Sequence, residues 1–214
     1  MDSIELMAQF VVLWDVVQQI QLTDRPDEIV WRWSANGTYT SKSAYLAQMR
    51  GTFCNFDAQA IWRAHAEGKH RFFSWLLVKE KILTADKLLA RNWPCESNCV
   101  LCDPVTETAA HLCLQCPFAK QLWLLVNSWT NNVIPLLIDL DEHVDAWWRR
   151  SLSPLNAAQK RYGAAILMYT CWNLWKERNR RIFEQKSMNP HQVVQLIKEE
   201  VNLRRVACRT PEVF

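Results

Sequence analysis

The chain has 214 residues, half of them hydrophobic, with 25 basic against 22 acidic side chains and a net charge of +3, enough for one sizeable core or a core with a small appended module. Only four glycines, all isolated, stand against twelve tryptophans, which argues against a glycine-rich phosphate loop and a turn-rich β fold and leaves helices as the medium. The opening Met1-Asp2-Ser3 lacks the basic, apolar and small-residue pattern of secretion, and no run of eighteen apolar residues is present to span a membrane, so the eight cysteines are expected as free thiols in a soluble intracellular protein.

In chain order, Leu6, Phe10, Leu13, Trp14, Val17 and Ile20 recur at helical spacing, predicting an amphipathic helix over 4–20 that Thr23 to Asp27, with Pro26, ends. Ile29 to Trp33 and Thr38 to Thr40 are β-prone runs flanking Asn36-Gly37, a strong hairpin signal. Ser41 is the expected N-cap of a helix over 42–50 closed by Gly51. Helices follow over 58–66 and 69–82, the second with Phe72, Phe73, Trp75, Leu76 and Leu77 on a core face. Thr84 should cap a helix over 85–92.

Cys99-Val-Leu-Cys102, Glu107-Thr-Ala-Ala-His111 and Cys116-Pro117 then form the one constellation with metal chemistry. Zn²⁺ asks for four soft or borderline donors at tetrahedral corners, and CxxC on a tight turn supplies one edge. Asp103-Pro104 helps the loop reverse so that a second pair folds back over the first. Spacing leaves Cys113 as a rival to His111, since Cys113 and Cys116 make a second CxxC, and Cys95 is a further candidate. Buried free thiols packing as small hydrophobes are the bland alternative. Four protein ligands would leave no open position for water or substrate, so one structural Zn²⁺ is expected, not a catalytic one.

Pro117 begins a helix reaching about 129, with Leu122, Trp123 and Val126 inward. Residues 130–139 look like a connector, 142–150 a short helix, 154–185 the longest helical pattern, and Asn189-Pro190 opens a last helix to about 207. Charge is asymmetric: 1–31 holds six acids against one base, while 160–209 holds eleven bases against four acids. The fold class expected is mainly α with a short N-terminal β-hairpin and a small zinc-knuckle-like module.

The residues Ile29-Val-Trp31, Asn36-Gly37-Thr-Tyr39, Ser43-Ala-Tyr45, Ile61-Trp62, Phe72-Phe-Ser-Trp75, Leu83-Thr84-Ala-Asp86, the three metal-window motifs and Trp123 carry a pattern. It resembles the reverse-transcriptase zinc-binding domain of plant LINE-type retrotransposons over about 29–126, and more weakly through Trp172-Asn-Leu-Trp175-Lys-Glu-Arg178-Asn179 and Phe183. The resemblance implies Cys99, Cys102, His111 and Cys116 as the ligands and demotes Cys113 and Cys95. It departs where family members often carry a proline before the lysine of Glu67-Gly68-Lys69-His70. The expected organisation is an N-terminal helix and linker over 1–28, the zinc-binding domain over 29–129 with its metal module at 95–117, and a basic helical region over 130–214.

No Asp-Asp dipeptide occurs and no spread of ribonuclease H carboxylates stands out, so the expectation is a non-catalytic piece of a retroelement polyprotein with no small-molecule substrate. RNA or single-stranded DNA is the first expected partner, with Arg91, Trp93 and Lys120 near the metal and Lys176, Arg178, Arg180 and Arg181 in the basic run as contacts. The different-class alternative is a structural module packing against reverse transcriptase or ribonuclease H domains, or a retroelement relic without function. A nuclear location is implied only by the family.

Overall fold

A computed structural model describes residues 3–19, 30–48, 58–134 and 143–208. The chain divides into two compact units, Met1–Cys54 and Asn55–Phe214.

In the first unit, α1 (Ser3–Gln18) forms over the residues the spacing predicts. Its apolar side chains are not covered: Phe10 is 60% and Leu13 60% exposed, and Phe10 stacks on Trp14 at 6.1 Å. Ile20 lies outside the described residues, as do Thr23 to Asp27. The expected β-hairpin is corrected here, because no strand occurs among the described residues. The Trp31 amide donates to the Gly37 carbonyl at 2.8 Å, and the Gly37 amide turns back to Ser34 O at 3.2 Å. Ser34 Oγ donates to Thr38 O at 2.7 Å. These bonds close residues 31–38 into a compact turn. The Asn-Gly signal is real as a turn, with Gly37 at φ +71°, and it is not a hairpin. Ile29 lies outside the described residues.

α2 (Ser41–Gln48) is capped by Thr40, one residue before the expected Ser41. Thr40 Oγ1 accepts from the Ser43 amide and Ser43 Oγ accepts from the Thr40 amide, each at 3.0 Å, a reciprocal cap in which serine stands where glutamate usually does. Arg50 and Gly51 lie outside the described residues.

The second unit contains α3 (Gln59–Trp62), α4 (Gly68–Val78), α5 (Ala85–Leu89), α6 (Pro117–Trp129), α7 (Val144–Leu152), α8 (Ala157–Asn179) and α9 (Pro190–Cys208). A π turn at His111–Gln115 precedes α6 and another at Arg180–Glu184 follows α8. α3 is shorter than expected because the chain leaves the helix for the His65 amide to donate to Arg161 O at 3.1 Å. α4 stops four residues early: Glu80 takes φ +51° and the Lys81 amide returns to Leu76 O at 2.8 Å, satisfying carbonyls at the helix end. α8 begins after Asn156, whose side chain accepts from Ala158 and Gln159 while Gln159 answers on the Asn156 amide.

α8 is buried on all sides from Gly163 to Cys171, as a central helix must be. α3, α4, α6, α7 and α9 pack against it, and α6 also packs on α9. A Cβ on Gly163 would lie 2.6 Å from Leu155 Cδ1, so this glycine permits the close approach of the segment entering α8. Phe73, Leu77, Leu122, Trp123 and Val126 join one core with Trp147 and Trp148. Phe72, expected inward, is 55% exposed and stacks on Trp75 at 6.0 Å. Part of the expected connector and Glu142 lie outside the described residues. No helix among the described residues is long and apolar enough to cross a membrane.

Candidate metal centre

The first half of the centre is a knuckle. Antiparallel pairing brings 97–99 beside 105–107: the Cys99 amide donates to Val105 O at 2.7 Å and the Glu107 amide to Ser97 O at 2.9 Å, around an isolated bridge between Asn98 and Thr106. Inside the reversal, the amides of Cys102 and Asp103 both point at Cys99 O, at 3.2 and 2.9 Å. Asn98 Nδ2 holds Asp103 Oδ1 at 2.9 Å. Such a turn swings the two cysteine side chains to one side.

The second half depends on helix geometry. At about 100° per residue, positions five apart on an α-helix lie roughly 140° apart, which would point His111 and Cys116 away from each other. The π turn removes this conflict. Its wider winding is closed by the Cys116 amide donating to His111 O at 2.8 Å, and Thr108 Oγ1 accepts the His111 amide at 3.0 Å to start the turn. Cys116 is then the residue before α6, with Pro117 at the first helical position, where a missing N–H costs nothing.

Donor atoms of Cys99, Cys102, His111 and Cys116 all lie within 4.8 Å of one another. Cys102 Sγ and His111 Nε2 are 3.2 Å apart. A zinc ion with bonds near 2.0 Å to nitrogen and 2.3 Å to sulfur needs donors about 3.5 to 3.8 Å apart, so three sulfurs and one imidazole nitrogen at this spacing fit a tetrahedral ion. Cys99 and Cys116 are fully buried and His111 is 5% exposed. The rival thiols point elsewhere: Cys113 is partnered with Cys171, whose own thiol is pushed up by burial and then by Cys113. Cys95 Sγ reaches Ala85 O at 3.8 Å.

Electrostatics favour a thiolate at Cys99. A hydrogen bond from the Cys116 thiol lowers it most, with help from His111 and the Leu101 amide, to about 4. Cys116, the donor in that bond, is pushed up, although the amides of Phe118 and Ala119 at the start of α6 act to lower it. Burial raises Cys102. Metal binding would displace the remaining protons, since only thiolates ligate.

A carboxylate-guanidinium lattice fixes the centre to the core. Glu107, between the two donor pairs, is 1% exposed; its Oε1 accepts from the Ala85 amide at 2.9 Å and from Arg178 Nη2 at 2.8 Å. Arg178 Nε reaches both carboxylate oxygens at 3.1 Å. Arg181 Nη1 donates to Val100 O at 3.2 Å and Leu101 O at 3.4 Å inside the CxxC turn, and its guanidinium lies 4.9 Å over the Phe118 ring. Fully buried Glu177 pairs with both Arg180 and Arg181, and Lys176 pairs with Glu200 at 2.9 Å. The basic run therefore has internal partners where the sequence suggested a phosphate-facing surface: the helix turns these four cations onto carboxylates. Trp93 is 66% exposed, Arg91 is exposed and Lys120 half-buried.

Sequence reasoning missed the structural part of Glu107 and of its partner Arg178. A carboxylate between two metal-donor pairs, with an arginine-rich stretch far along the chain, was the available signal.

Residues 39–123 match the family described as zinc-binding in reverse transcriptase. The chain contains a reverse-transcriptase zinc-binding domain. It is also 22% identical over 110 residues to an Arabidopsis thaliana protein named "Putative ribonuclease H protein", a match covering 49% of this chain and 18% of that protein. No solved structure matches. The domain is retrotransposon-related and mainly helical, with a Cys₃His group able to hold a metal.

Proposed function

We propose that Cys99, Cys102, His111 and Cys116 hold one structural Zn²⁺, and that the protein is a non-catalytic module of plant LINE-type retroelement descent that binds RNA or single-stranded DNA. The observation that carries this reading is the closed donor set: four protein atoms are within reach of one ion and largely shielded from water. Bound there, zinc would neutralise the thiolates and cross-link the knuckle to α6, with no vacant position for a reactant. The chain's own contribution is to place the donors through the CxxC turn and the π turn, and to lock both through Glu107 and Arg181.

In this reading residues 29–129 constitute the zinc-binding domain, with 95–117 its metal module, after an N-terminal segment over 1–28. The basic helices over 130–214 brace it. Exposed Trp93 supplies a ring for base stacking, and Arg91 and Lys120 supply cations for phosphate. Such a module would work inside the cell, where thiols stay reduced, and in the nucleus if it meets chromosomal or nascent nucleic acid. Elemental analysis tests the metal, with one zinc per chain expected. A gel-shift titration with single-stranded RNA tests the ligand: binding should weaken with added salt, and salt-independent affinity or none contradicts the reading.

A second reading is favoured by α1, whose Met7, Phe10, Val12 and Leu13 are all 60% exposed or more: it would dock on a protein such as a reverse transcriptase or ribonuclease H domain. Light scattering of the chain alone and with such a domain separates the two.

A further inference from the structure

The cations that face solvent lie elsewhere than the basic run. Between α3, the end of α7 and the first turns of α8 is a groove of about 440 Å³, lined among others by Arg63, Arg149, Lys160, Arg161 and Trp148. None of its lining residues is acidic. Arg149 holds Asp145 at 2.7 Å, whereas Arg63, Lys160 and Arg161 are exposed and their side chains make no ion pair among the described residues. The positive end of the α8 dipole adds to the field, since Ala157, Lys160 and Arg161 belong to its first turns.

A second observation is independent of charge. Trp148 is 1% exposed, yet its buried indole N–H has no hydrogen-bond partner. Such a donor in a well-packed core is an unmet hydrogen-bonding group, and Trp148 is part of the lining of a groove whose charged side chains are all cations. Trp62, adjacent to Arg63, is 47% exposed and offers a ring face for a base.

We propose that this groove is a phosphate-binding track for single-stranded nucleic acid, with Arg63, Lys160 and Arg161 contacting successive phosphates and Trp148 forming part of its wall. The inference rests on the nucleic-acid reading above and moves its main contact surface away from residues 176–181.

The test uses the zinc-loaded full chain and a dye-labelled single-stranded RNA, followed by fluorescence anisotropy across a salt series. Removing one cation that neutralises a phosphate should reduce the slope of log K against log salt by about 0.7. The triple variant R63A/K160A/R161A should lose about two units of slope and, near physiological salt, on the order of 50-fold in affinity. These exposed side chains can be removed without touching the core, and unchanged circular dichroism and zinc content would verify that. As a second readout, the indole N–H resonance of Trp148, assigned through Trp148→Phe, should shift as RNA is added. If the wild type binds while the triple variant matches it in slope and affinity, the groove assignment falls and the nucleic-acid reading survives. If the wild type does not bind RNA or DNA, both fall. Equal competition by poly-glutamate would overturn the assignment to nucleic acid.

Discussion

Two basic regions of this molecule have similar charge and opposite surroundings. At the end of α8, Arg178, Arg180 and Arg181 face buried Glu107 and Glu177. At its beginning, Arg63, Lys160 and Arg161 border a groove with no acidic lining. The contrast shows that a run of cations says little about function until its partners are known. Where carboxylates are buried within reach, arginines become structural, because a charge removed from water must be paired. Where none is near, the field is left for a ligand.

The largest effect should come from breaking the internal lattice. Glu107→Ala leaves the buried Arg178 guanidinium unpaired and should cost about 3–5 kcal/mol; urea denaturation monitored at the tryptophans reads this, and a loss below about 1 kcal/mol would mean that the pair does not brace the metal loop. A smaller effect is expected at Trp123, whose indole N–H donates to Cys113 O at 2.7 Å. Trp123→Phe orphans that buried carbonyl beside the π turn and should cost about 1–3 kcal/mol.

A pH experiment sharpens the same comparison within the core. Burial holds His70 below its ordinary value, outweighing the nearby Glu67, so the folded state prefers the neutral ring. Its contribution to stability is therefore complete above the unfolded value of about 6.5 and is lost as pH falls through the lower folded value. The wild-type denaturation midpoint should drop more steeply below pH 6.5 than that of His70→Gln; parallel curves would refute the assignment. The smallest change is expected for Lys176→Ala, whose partly exposed pair with Glu200 is worth less than about 1 kcal/mol. It should leave RNA affinity unchanged while the groove variant does not.

Much of the metal centre was legible because ligand chemistry constrains both residue type and spacing: CxxC with a distant histidine and cysteine has few other uses. The choice between His111 and Cys113 was not legible from spacing, since it depends on a π turn that no periodicity argument anticipates. The helices after residue 58 were legible from apolar spacing and from the prolines that open α6 and α9, with ends displaced where a tertiary bond overrode local preference, as at His65; the expected cap at Thr84 makes no side-chain cap bond. The hairpin failed because a turn signal fixes a reversal without ensuring that the flanking backbone pairs. Glu107 and Arg178 were invisible as a pair, being 71 residues apart with nothing in either local sequence to link them.

Metal content of purified His111→Ala and Cys113→Ala proteins, measured side by side with the wild type, tests the central claim most directly. One zinc per chain should be retained by the wild type and by Cys113→Ala and lost by His111→Ala. Zinc kept by His111→Ala and lost by Cys113→Ala, or a folded wild type devoid of metal, would contradict it.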